Sequence, residues 1–348
     1  KMSNGNDIVA LAEKFDKQDM IKYTRSFVDD IENSFNIEIE IEQDLDWSGV
    51  LCLGMGGSGA GGDFLKSISD YSAGMPFVIW KDYGLPSWWG SDWLVIATSY
   101  SGNTEETLDG VKTALEQGGT VIGITSGGKL EEILSENDNS ISLSIPSGQM
   151  PRSAFGHLFG TQMAICWALG IFQKPTNEEI NDIINRLRIM SSNADIITGN
   201  GMSISMAKSM MGKQIGVLSP TALSSAANRF VSQLNENSER FARQVNFPEM
   251  NHNEVVAWGS AIKEDHSDIY FSWGGMNQRT RSRLDWMLEE MSTESSWVIE
   301  CEGNSLLECL IYTAHITDWV SIALALLEGK DPSDMHPIVS LKKHLSSI

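Results

Sequence analysis

The chain has 348 residues, 41% of them hydrophobic and 20% charged, with a formal net charge of -21. That is the composition of a folded globular chain with room for two ordinary domains, each able to bury its own core. The acidic balance argues against nucleic acid, whose general affinity rests on lysine and arginine neutralising phosphates, and against anionic membrane surfaces. A small phosphate ligand stays open, because physiological salt screens repulsion beyond ~8 Å.

Residues 1–35 read as helical and peripheral, with Leu11, Phe15 and Ile21 set among charges. Lys1 to Phe15 has no signal-peptide core. Ile37 to Glu42 alternates strictly between isoleucine and glutamate, the pattern of a short half-exposed strand. From Val50 onward strands alternate with helices: Val50–Leu53, Phe77–Trp80, Leu94–Thr98, Thr120–Ile124 and Ile141–Ile145 as strands, Glu105–Gln117 and Lys129–Ser135 as helices. Such alternation predicts a parallel sheet with helices on both faces, whose ligands bind at the carboxyl ends of the strands. Phe155–Leu169 reads as an apolar helix closing this unit. Pro175 stops it, and Thr176 with Glu179 forms a capping box that opens the next helix. The domain boundary is placed there, giving residues 1–175 and 176–348.

The second half repeats the style. Ile215–Leu218 is strand-like, Ser219-Pro220 can cap and open a helix, and a helical stripe runs from Leu223 to Leu234. Val245–Phe247, Asp268–Ser272 and Trp297–Glu300 are further strands. Ser305–Leu327 is a long apolar helix, but Glu308, His315 and Asp318 interrupt it, so it reads as a core helix and not a membrane span. Cys52, Cys166, Cys301 and Cys309 form no C-x-x-C pair and read as buried free thiols of a reducing, cytoplasmic protein.

Two strand-end loops carry the chemistry. Gly54-Met55-Gly56-Gly57-Ser58-Gly59 follows the first strand, and Ser99-Tyr100-Ser101-Gly102-Asn103-Thr104 follows the third. A strand that opens into small residues and then a helix presents free N–H groups and a positive dipole end to an anion. The second loop adds hydroxyl donors at Ser99, Ser101 and Thr104, so the pair of loops suits a small phosphorylated metabolite. The first loop also satisfies G-x-G-x-x-G, with Asp82 downstream as a nicotinamide-binding unit would want. Lys81 and Tyr83-Gly84 around Asp82 equally suit a turn.

Glu236, between Asn235 and Asn237 at the end of a helix, sits where the dipole disfavours a carboxylate; it is either a proton acceptor or a solvated helix end. His252 lies in a Pro- and Asn-rich loop, as an acid–base group or plain surface. No H-x-x-x-H or cysteine pairing points to a metal. Arg152 follows Pro151 at a helix mouth, suited to a negative ligand or to a surface ion pair. Lys342 and Lys343 lie on a short basic helix. A base, an imidazole, an arginine and a lysine around a phosphate cradle suit proton transfer beside the carbonyl of a sugar phosphate.

These motifs resemble the bifunctional phosphoglucose/phosphomannose isomerases of the sugar isomerase (SIS) superfamily. The anchors are the two loops, Pro151-Arg152, Asn235-Glu236-Asn237, His252-Asn253, and Asp331-Pro332 followed by Leu341-Lys342-Lys343. The resemblance implies two tandem SIS domains, each a parallel sheet between helices. It implies a homodimer acting on hexose 6-phosphates near the subunit interface, without cofactor or metal. Glu236 takes the position of the isomerisation base, Arg152 that of the stabiliser of the intermediate, and Gly57, Ser58, Ser99, Ser101 and Thr104 those of the sugar and phosphate contacts. His252, which such enzymes can borrow from the neighbouring subunit, and Lys342 take those of the ring-opening pair. Met335 stands where the family pattern has threonine; a thioether donates no hydrogen bond, which bears on turnover of the mannose epimer. A non-catalytic sugar-phosphate sensor and a nicotinamide-linked dehydrogenase are the rival readings.

Overall fold

The computed structural model describes residues 6–41, 46–72 and 74–348. Two helices come first, α1 (Asn6–Phe15) and α2 (Met20–Phe35). The first sheet then forms from β1 (Gly49–Leu53), β2 (Phe77–Trp80), β3 (Trp93–Thr98), β4 (Val121–Thr125) and β5 (Ser140–Ser144). Its helices are α3 (Gly56–Ser72), α4 (Glu105–Glu116), α5 (Gly128–Ser135) and α6 (Phe155–Ala168). All strands run parallel in the order β2-β1-β3-β4-β5. β1 and β3 are neighbours although β2 lies between them in the chain, so the strand order reverses at that pair and opens a crevice at their carboxyl ends.

Helices α7 (Asn177–Ala194) and α8 (Met202–Met210) lead to the second sheet. It holds β6 (Gln214–Pro220), β7 (Ala242–Phe247), β8 (His266–Trp273) and β9 (Trp297–Cys301), parallel in the order β7-β6-β8-β9. Its helices are α9 (Ser224–Ser238), α10 (Gln278–Glu290) and α11 (Leu306–Leu327), and α12 (His336–Leu345) follows. The Thr176–Glu179 capping box is formed in both directions.

Three local expectations fail. Residues 37–41 form no strand, and Glu42 lies outside the described residues; without a paired neighbour an alternating pattern has no ladder to join. α2 is not peripheral: Met20, Phe27, Ile31 and Phe35 are buried, and the helix lies along α6. Pro220 ends β6 instead of opening a helix; a short 3₁₀ turn, Thr221–Leu223, intervenes before α9.

The long apolar helix α11 is 89% buried within the protein over its most apolar stretch. Each of its three polar interruptions is matched. Glu308 takes both arms of Arg186 at 2.6 and 3.0 Å. His315 meets Ser191 Oγ at 2.7 Å and stacks on Phe27, and burial pushes its pKa down to about 3. Asp318 meets Arg229. All four cysteines are buried and unpaired.

Candidate active site

The two loops expected to cradle a phosphate are adjacent, because β1 and β3 pair with Leu53 opposite Ala97. They are also tied together: the Tyr100 N–H donates to Ser58 Oγ at 3.0 Å. Gly57 is set by packing. A Cβ there would lie 2.9 Å from the backbone of Arg152, so only glycine lets the residue-151 turn approach the start of α3. Ser99 is fully buried with its hydroxyl 2.8 Å from that of Thr104. Ser101 is exposed and accepts from the Asn103 N–H. Gly102, at φ +68, makes the bend that returns the chain to α4. Ser58 and Ser99 therefore shape the loops, while Ser101 is exposed at the tip of the second.

Arg152 is 1% exposed, on a 3₁₀ turn (Pro151–Ala154) that leads into α6. Its Nε donates to Asn237 Oδ1 at 2.7 Å and one terminal nitrogen reaches Glu236 Oε2 at 3.3 Å. The other donates to the carbonyls of Pro332 at 2.6 Å and Asp334 at 3.5 Å. Burial pulls its pKa below the usual arginine value, against the pull of Glu236, Asp331 and Asp334. The surface ion pair weighed from sequence is thus a buried, four-point clamp, and the Asp331–Met335 segment is part of it. Met335 directly follows one of the carbonyls Arg152 holds.

Glu236 lies in the last turn of α9 with a quarter of its side chain exposed. It shares a cleft of ≈ 90 Å³ with Gly56, Gly57 and Ala60 of α3 and with Asn228, Ser232 and Gln233 of its own helix. Arg229 lines the cleft too and donates to Asp318 Oδ2 at 2.9 Å and to the Arg152 carbonyl at 3.1 Å; Gln233 donates to Asp318 Oδ1 at 3.0 Å. Burial raises the Asp318 pKa, opposed by Arg229 and Gln233. Sequence reasoning missed this support. The signal was present: Arg229, Gln233 and Asn237 recur every four residues on one face of α9, and Asp318 breaks an apolar helix.

The structure brings Arg152, Glu236 and Gly57 together, with the Ser99–Thr104 loop on the adjoining strand. It does not bring in His252 or Lys342. His252 is exposed at the end of a 3₁₀ turn (Glu249–His252) and Lys342 stands on α12, none of whose residues is buried; neither lines the cleft. Asp82 folds onto its own turn, accepting from the Tyr83 N–H at 2.8 Å, as the turn reading requires. Among the described residues no group of three or more His, Cys, Asp or Glu side chains is placed to hold a metal.

Residues 46–171 match the SIS domain family, and residues 201–345 match the bacterial phospho-glucose isomerase C-terminal SIS domain. The chain is 32% identical over 302 residues to a bifunctional phosphoglucose/phosphomannose isomerase of Thermoplasma acidophilum, covering 86% of this chain and 90% of the relative. It is 33% identical over 235 residues to a D-glucosamine-6-phosphate 4-epimerase of Sulfolobus acidocaldarius, covering 67% and 71%. In fold it is similar to a hypothetical protein of Thermus thermophilus, at a TM-score of 0.74 and 15% identity over 98% of this chain and 93% of that one.

Proposed function

Since this chain belongs to the bifunctional phosphoglucose/phosphomannose isomerase family and carries two SIS domains, we propose that it interconverts glucose 6-phosphate with fructose 6-phosphate by proton transfer. The domains divide at residues 175/176, where the capping box restarts the chain between the two matched spans. The observation that carries the reading is the Glu236 carboxylate held 3.3 Å from the buried Arg152 guanidinium beside the first turn of α3.

Glu236 takes the proton from C2 of the open-chain aldose and returns it to C1; the hydroxyl proton on O2 leaves as O1 gains one. The enediolate between these steps carries its negative charge next to Arg152, which is already fixed and needs no reorganisation. The N–H groups at the starts of α3 and α4, with Ser101 and Thr104, take the phosphate and sugar hydroxyls, while Ser58 and the buried Ser99 hold the two loops in shape. The reaction as drawn requires no metal or organic cofactor.

A second copy of the chain completes the site. A cleft of ≈ 90 Å³ is smaller than the ~300–1,000 Å³ usual for small-ligand pockets, and both ring-opening candidates are exposed on this copy. In a homodimer, His252 of the partner subunit closes the cleft, with Lys342 as its companion in ring opening. Four buried free thiols fit a reducing cytoplasm.

A coupled assay run side by side on glucose 6-phosphate and mannose 6-phosphate tests the reading. Fructose 6-phosphate forms from glucose 6-phosphate, and more slowly from the mannose epimer, because Met335 offers no donor where the family pattern has threonine. Turnover of D-glucosamine 6-phosphate with none of either hexose 6-phosphate would overturn it.

A further inference from the structure

The chain has ten arginines, and eight of them are ion-paired with carboxylates. The remaining two, Arg279 and Arg283, pair with no carboxylate among the described residues, and both line the same cavity. It holds ≈ 350 Å³ on the second domain, well apart from the Glu236 cleft in its lining, and its other walls are Asn251, Val255, Ser282 and Trp286. In a protein with 46 acidic residues, two unpaired arginines in one concavity are not an effect of composition.

The geometry names a ligand chemistry. Arg279 and Arg283 are one turn apart on α10, so their side chains share a face and repel each other until an anion lies between them. Trp286 continues that face and is 48% exposed, offering a flat aromatic surface at the cavity wall. Asn251 Oδ1 is buried with no hydrogen-bond partner, and its amide nitrogen faces only the sulfurs of Met287 and Met250, at 3.2 and 3.8 Å. Thioethers are weak acceptors, so this side chain is left with an acceptor turned toward no donor of the protein.

We propose that the cavity is a binding site for an aromatic organic phosphate of the nucleoside monophosphate class, distinct from the sugar-phosphate cleft. The two guanidinium groups take the phosphate, for which their forked donors are suited. The base stacks on Trp286. The volume lies at the lower end of the ~300–1,000 Å³ typical of small-ligand pockets, which favours a mononucleotide over a dinucleotide.

Isothermal titration calorimetry of the full chain tests this, with adenosine 5′-monophosphate as probe and adenosine and inorganic phosphate as its separated parts. Each is titrated with and without saturating glucose 6-phosphate. The expected result is one bound nucleotide per chain, at least tenfold tighter than either part and undisturbed by the sugar phosphate. The Arg279→Gln/Arg283→Gln variant should lose at least tenfold in affinity. Trp286→Ala, at a half-exposed position, should lose a similar factor while keeping the salt sensitivity of the phosphate contact. Absence of nucleotide binding in the wild-type protein would overturn the proposal, as would unchanged affinity in the double variant. So would phosphate binding as tightly as the nucleotide, or the double variant doing no more than dissociating the dimer in sedimentation, since the arginines would then serve a subunit contact.

Discussion

Arg152 has donors directed at the Asn237 amide oxygen, the Glu236 carboxylate and the carbonyls of Pro332 and Asp334. A guanidinium is a rigid planar fork, whereas a lysine ammonium is a point charge on a flexible stem. Arg152→Lys keeps the charge and loses the geometry. We expect kcat to fall by ~10²–10³-fold, the cost usual for losing a preorganised donor at a developing oxyanion, with KM changed far less; steady-state kinetics on glucose 6-phosphate measures the split. Glu236, Arg152 and the loop serines stood out in the sequence because each breaks a local rule: a carboxylate at a helix end, an arginine after proline, hydroxyls clustered after a strand. Arg229, Gln233 and Asp318 did not, because their meaning depends on which faces of α9 and α11 meet.

At the scale of elements, the central strands could be read from apolar runs, since a parallel strand buried on both faces needs a continuous apolar stretch, whereas the first half of β7 and the whole of α10, both polar in sequence, could not. The place of α2 could not. Its charges suggested a surface helix, yet it packs closely on α6, where a Cβ at Gly156 would come within 2.9 Å of Asp30 Cβ. That contact buries Asp30 against His157, whose Nε2 lies 3.2 Å from Asp30 Oδ1, and burial raises the Asp30 pKa to about 6 while it lowers that of His157. A carboxyl that holds its proton more tightly when folded adds stability below its unfolded pKa, and that stability is lost as pH rises through about 6. Asp30→Asn removes the loss. The variant should match wild type near pH 4 and exceed it above pH 7, by at most about 3 kcal/mol, in urea denaturation across that range. A difference independent of pH would show that Asp30 ionises freely in the folded protein.

In the whole molecule the two halves are interlocked and not merely linked. α11 of the second half packs on α1 and α2 of the first as well as on α7, α8 and α9; α3 packs on α9, where the Ser67 and Ser225 hydroxyls meet at 2.8 Å. The proposed base and the start of α3 therefore face one another across the seam between the sheets, and the buried Arg152 joins both sides. The most direct measurement is isomerisation of glucose 6-phosphate in D₂O, following deuterium at C1 of fructose 6-phosphate by NMR alongside turnover, for the wild-type protein and Glu236→Gln. The account predicts solvent deuterium in the wild-type product, and a variant that binds the sugar phosphate yet loses both exchange and turnover together. Wild-type-like turnover by Glu236→Gln would contradict it.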